Sequence, residues 1–119
     1  MVNQYVLKVY PLGLGNEVYR TLEICGDSTL DQLCDAIMEA FDFFHEHLYE
    51  FCMDNKMFSE HCYQYNPLAE EVGMEGPSTG IALDKIGVQK GQKFTLHYDF
   101  GDDWMFPIRV MEIKQIPRK

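Results

Sequence analysis

Between residues 29 and 41 the side chains of Leu30, Leu33, Cys34, Ile37, Met38 and Phe41 recur at helical spacing. Asp31, Gln32, Asp35 and Glu39 fall on the opposite side. No other stretch has so clear a period, and it commits the fold to burying one face of an amphipathic helix. Ser28 with Asp31, or Thr29 with Gln32, has the spacing of a capping box, and acids in the first turn suit the helix dipole.

The remaining patterned stretches are short and alternate with period two. Tyr5, Leu7 and Val9 share a face of a run that Pro11 ends. Val18, Leu22 and Ile24 share the next, together with Arg20, so the two runs form a hairpin. Residues 48–53 read as a strand turning at Asp54-Asn55-Lys56, with Met57-Phe58 beginning a short partner strand. Residues 61–80 hold two prolines and three glycines and read as a long excursion. Residues 81–86 read as one helical turn. The chain closes with Phe94, Leu96, Tyr98 and Phe100 in alternation, a tight connection at Gly101-Asp102-Asp103, and a last strand over residues 104–116. The expected fold is α+β: one main helix at about 29–41 packed on an antiparallel or mixed sheet of about five strands, in the order ββαββ…ββ. At 119 residues one domain, 1–119, is expected.

Nineteen acidic against ten basic residues give a formal net charge of −9. That field repels phosphate backbones, so direct nucleic-acid binding is disfavoured. No run approaches the roughly 20 apolar residues of a membrane span, and the first residues lack the pattern of a secretion signal. Cys25, Cys34, Cys52 and Cys62 include no C-x-x-C pair and read as reduced, buried thiols of a cytoplasmic protein, with two disulfides as the lesser alternative.

The densest polar stretch is His97 to Trp104. His97 and Asp99 are expected on one strand face, and Gly101 allows a bend that brings Asp102 or Asp103 near. Carboxylates and an imidazole suit a divalent ion, although a plain hairpin turn explains the same residues. A second candidate is His45-Glu46-His47 with Glu50, where both histidines would face one way in an extended chain. Arg20, if buried, would need a carboxylate such as Asp99 or Asp102, which would make the acidic cluster a structural clamp. The binding candidates are therefore Arg20, His47, Glu50, Asp99, Asp102 and Trp104. Those for a metal are His47, Asp99 and Asp102.

Asp99-Phe100-Gly101 matches the magnesium-binding tripeptide of protein kinases, but the chain has neither the glycine-rich loop nor the length for two lobes. Three stretches together resemble the plasmid pRi open-reading-frame-three-like family: residues 5–9 followed by Val18-Tyr19-Arg20; His47-Leu48-Tyr49-Glu50-Phe51; and Tyr98-Asp99-Phe100-Gly101-Asp102-Asp103-Trp104. The resemblance runs from about residue 4 to 112 and implies a compact α+β fold, without implying a reaction. The family pattern places a histidine two residues after the tryptophan, where this chain has Phe106. The family's transposon-resolvase label implies a recombinase, yet Ser28, Ser59 and Ser78 lack the arginines that a nucleophilic serine needs there.

The leading expectation is a small acidic binding or interaction domain with a protein partner, an accessory of mobile elements or their hosts, not an enzyme and without a cofactor. The alternative is a metal-dependent hydrolase or nuclease in which His47, Glu50, Asp99 and Asp102 hold an ion that activates water. A further alternative is an acidic mimic of nucleic acid, which requires carboxylates spaced along one face.

Overall fold

The helix forms where the periodicity places it, as α1 over Leu30–Ala40. Thr29 caps it: the Thr29 hydroxyl accepts from the Gln32 amide and the Gln32 side chain accepts from the Thr29 amide, so two orphan donors are satisfied reciprocally. In the computed structural model, residues 1–13, 18–43, 47–65 and 78–117 are described. His45 and Glu46 lie outside them, as does most of the expected excursion.

Six strands form one sheet: β1 (Val2–Val9), β2 (Arg20–Cys25), β3 (Tyr49–Cys52), β4 (Cys62–Gln64), β5 (Lys93–Tyr98) and β6 (Trp104–Ile116). Their order across the sheet is β2-β1-β6-β5-β3-β4, and every neighbouring pair is antiparallel. A four-residue helix, α2 (Leu83–Ile86), precedes β5 and ends at Gly87, whose φ of 78° needs no Cβ.

This corrects the expected α+β fold with one main helix and about five strands. The fold is mostly β, and among the described residues helix is confined to α1 and α2. An eleven-residue helix is about 16 Å long, whereas six strands at about 4.8 Å spacing span about 24 Å, so α1 cannot organise the whole sheet. The partner of β3 is also corrected. It is Cys62–Gln64, while Met57 and Phe58 belong to the connecting loop.

Period two divides the sheet into two faces. Tyr5, Leu7, Val9, Phe51, Phe94, Leu96, Phe106, Ile108 and Val110 are buried on one of them, in a core cluster shared with Leu30, Leu33, Cys34, Ile37 and Met38 of α1. We call this the helix-side face. The start of α1 is fixed to the segment before α2: the Leu30 amide donates to the Ile81 carbonyl (3.1 Å), the Asp31 amide to Thr79 (3.0 Å), and the Asp31 carboxylate accepts from the Tyr49 and Thr79 hydroxyls. The opposite, open face carries the polar strand residues: Lys8, Glu50, Cys52, Lys93, Thr95, His97 and Arg109.

Pro107 sits inside β6, where a missing N–H would normally cost a ladder bond. Its carbonyl accepts from the Tyr10 amide (3.0 Å), so its donorless nitrogen points to the same side, where β1 has already ended.

Candidate functional site

Glu50 and His97 are register partners in the β3–β5 ladder, and Gln64 is the partner of Glu50 in the β3–β4 ladder. All three therefore project from the open face. Glu50 and His97 are nevertheless fully buried. The Glu50 carboxylate faces His97 Nδ1 at 2.7 Å through Oε2, which also accepts from the Phe58 amide at 2.8 Å. Its Oε1 accepts from Gln64 Nε2 at 3.1 Å. The other imidazole nitrogen, Nε2, meets Asp103 Oδ1 at 2.6 Å. A ring holding a proton on each nitrogen satisfies both carboxylates at once. Burial by itself pushes the Glu50 carboxyl up, but the hydrogen bonds from His97, the Phe58 amide, Gln64 and Cys62 outweigh it and hold the group below its ordinary value.

Asp103 reaches the histidine because the β5–β6 turn is left-handed at two aspartates, Asp99 (φ 64°) and Asp103 (φ 53°), residues that tolerate this conformation. Asp99 Oδ1 accepts from the Gly101 and Asp102 amides at 3.1 and 3.3 Å, and the Asp103 amide donates to the Asp99 carbonyl at 2.6 Å. Two aromatic rings close the cluster from water. Phe58 stands edge-on to the His97 ring at 5.1 Å, Phe100 is tilted against it at 5.0 Å, and the two phenyl rings meet at 4.9 Å. Phe58 has a φ of 56°, unusual for a bulky residue, and the hydrogen bond that its backbone amide donates to Glu50 fixes it there.

Beside Glu50, the register partners Cys52 and Cys62 bring their sulfurs to 2.9 Å. All four cysteines are free thiols. A ligand atom from each of Glu50, Cys52 and Cys62 lies within 4.8 Å of the others, which is the one such group among the described residues. Burial, the Cys62 bond and the Glu50 charge push the Cys52 thiol well up, so it keeps its proton in this arrangement. A soft divalent ion would have to displace the thiol protons and one of the bonds that engage both Glu50 oxygens.

The sequence candidates do not converge on one place. His47 is exposed, and its Nε2 lies 3.6 Å from Asp99 Oδ2, so these two do approach each other. Asp99 leaves the strand with a positive φ and turns back onto its own loop, so it does not share the face of His97 as expected. Asp102 is exposed, and Asp103 takes the position expected of it. Trp104 packs edge-on to Phe43 at 5.0 Å on the helix side. Arg20 is opposite Val9 at the β2 edge of that side, exposed, donating to the Tyr19 carbonyl at 2.8 Å and lying 5.5 Å from the Phe41 ring centre. It makes no ion pair with Asp99 or Asp102, because it stands on β2, three strands away from β5, which leads into their turn. The selected set omits His97, Asp103, Cys52 and Cys62. Alternation along 94–100 marks His97 as lying opposite the apolar face, but the cross-strand partners come only from the register.

Fold and site define a six-stranded antiparallel sheet domain whose open face carries a carboxylate–imidazole–carboxylate chain, buried at Glu50 and His97 and half-exposed at Asp103. The chain belongs to the plasmid pRiA4b ORF-3-like protein family, whose pattern matches residues 3–119. Its fold is similar to that of a protein of unknown function from Methanosarcina mazei Go1, with a TM-score of 0.74 and 23% identity over 100% of this chain. The chain spans 64% of that longer protein. Comparison with curated proteins finds no match. No helix among the described residues is long and apolar enough to cross a membrane.

Proposed function

We propose that the chain is a binding domain that engages a protein partner through the apolar lip over the open face, with the Glu50–His97–Asp103 chain shaping that lip. The observation that carries this reading is Phe58. It is 56% exposed beside Met57 at 47%, yet its backbone is held at a positive φ by a fully buried carboxylate. Phe58, Met57 beside it and Phe100 against its ring make a contiguous apolar patch, the kind of surface a partner covers. Every polar group of the buried cluster is satisfied within the protein, and no buried side-chain polar atom among the described residues lacks a partner. That supports a structural role for the cluster over a hydrolytic one, in which Glu50 would need an oxygen free for water or a metal. The domain then serves as an accessory protein of mobile elements or their hosts, in the cytoplasm, where four free thiols are at home.

Immobilised protein incubated with native lysate tests this, read beside gel filtration of the eluate. The wild type is expected to retain a discrete protein that a Met57→Ser/Phe58→Ser variant with unchanged circular dichroism does not. Retention of nothing, or equal retention by both, overturns the proposal.

A further inference from the structure

The open face carries a second feature, at the end of the sheet away from Glu50. Lys8 is the register partner of Arg109 in the β1–β6 ladder, and Arg109 is the partner of Lys93 in the β5–β6 ladder. Three cations thus stand in a row on one face across three adjacent strands, spanning about 10 Å at the usual strand spacing. Like charges placed directly opposite destabilise a sheet. Among the described residues none of the three has a carboxylate partner, in a chain whose net charge is −9. Lys8 instead lies over aromatic rings, 4.1 Å from the Tyr19 centre and 5.4 Å from that of Tyr10.

The row lines part of a groove of about 550 Å³, a volume suited to a small ligand. The segment following β1 contributes the next part of the lining. The Tyr10 and Leu12 amides donate to the Pro107 and Met105 carbonyls at 3.0 and 2.9 Å, which lays that segment along β6 beyond the end of the ladder. Tyr10, Pro11 and Leu12 of that segment, with Pro107 of β6, make this part of the lining largely apolar. A basic row beside an apolar surface in one groove matches a ligand with the same two halves.

We infer that this groove binds a small phosphorylated molecule carrying more than one phosphate and a flat apolar group, the chemistry of a nucleoside di- or triphosphate. Three cations spread over two strand spacings match a chain of phosphates better than a single carboxylate. The acidity of the rest of the molecule works against a long nucleic-acid strand, whose backbone would run out of the groove into like charge. The site is separate from the Phe58 lip, so neither proposal rests on the other.

Calorimetry and thermal unfolding at low salt, with ATP, inorganic pyrophosphate, adenosine and a single-stranded oligonucleotide as probes, test the inference. ATP is expected to bind most tightly and raise Tm, pyrophosphate more weakly, and adenosine weakest of the three; added salt is expected to weaken both phosphate probes. The Lys93→Gln/Arg109→Gln variant is expected to lose about tenfold or more of the ATP affinity, since charge-assisted contacts are removed. Its own Tm should be equal to or above that of wild type, because the crowded row is relieved. Lys114→Gln, which removes a cation paired with Glu23 at 3.7 Å outside the groove, should bind ATP as wild type does. No binding of ATP or pyrophosphate at millimolar concentration overturns the site, as does ATP binding that the double variant leaves unchanged. Tighter binding of the oligonucleotide than of ATP, lost in the same variant, overturns the small-ligand assignment.

Discussion

Glu50 and His97 face each other across the β3–β5 ladder with Oε2 and Nδ1 2.7 Å apart, both fully buried on the face of the sheet away from α1. The pair links two loops that are far apart in sequence. Glu50 holds the Phe58 amide of the β3–β4 loop, and His97 holds Asp103 of the β5–β6 turn. His97→Leu removes the central member and leaves a buried carboxylate without its strongest partner, a change that costs roughly 3–5 kcal/mol. Asp103→Asn, at a half-exposed end, should cost about 1 kcal/mol or less. Urea unfolding of the two variants checks the order, and equal losses would contradict the chain of contacts.

Acid should expose the same pair. The folded-state carboxyl of Glu50 is held below its ordinary value of 4.5, so its contribution to stability is present above that value. It is lost as pH falls through the lower, folded-state value, because the unfolded chain then binds the proton more readily. Glu50→Gln should lower stability near neutral pH and flatten the decline on the acid side. Urea midpoints from pH 7 to pH 3 measure both effects, and parallel curves for variant and wild type would show that Glu50 does not supply the slope.

Gly26 lies against Asp84, whose carboxylate accepts from the Tyr5 hydroxyl at 2.8 Å and from Asn3 Nδ2 at 3.0 Å. A Cβ at residue 26 would overlap that carboxylate. Gly26→Ala should therefore displace Asp84 and cost about 1–3 kcal/mol through the broken bonds. In an Asp84→Ala background the same substitution should cost much less, since the obstructing group is gone. A double-mutant cycle by thermal unfolding gives the coupling, which should be clearly non-zero.

The thiols should differ in reactivity. Cys34, Cys52 and Cys62 are buried, and burial pushes the Cys34 and Cys52 thiols well up. Cys25 is partly exposed in β2. Ellman's reagent on the native protein should titrate one thiol quickly and the other three only after denaturant, and Cys25→Ser should abolish the fast phase. A fast phase surviving that substitution would place the accessible sulfur elsewhere.

The local elements were largely written in the chain. Leu30 to Phe41 carry the spacing of α1 and Thr29 with Gln32 its cap, because a helix is made by residues three and four apart. Alternation marked Tyr5, Leu7 and Val9, and again Phe94, Leu96 and Tyr98, as faces to be buried. The β4 strand was missed because three residues, Cys62–Gln64, are too few to show a period. The candidate site was only partly legible. His97 stood in the flagged stretch, but Asp103 and not Asp102 was the aspartate that reached it, a choice made by two left-handed residues in the turn.

What the residues determined alone was where the chain bends, which stretches bury a face, and that the molecule is strongly acidic. Which residues became neighbours was decided by strand order. Placing β6 between β1 and β5 set Arg109 beside both Lys8 and Lys93, and placing β3 between β4 and β5 set Glu50 beside both Gln64 and His97. Period two says which side of a strand a residue takes, whereas its cross-strand partner depends on a register fixed by the packing of the whole sheet.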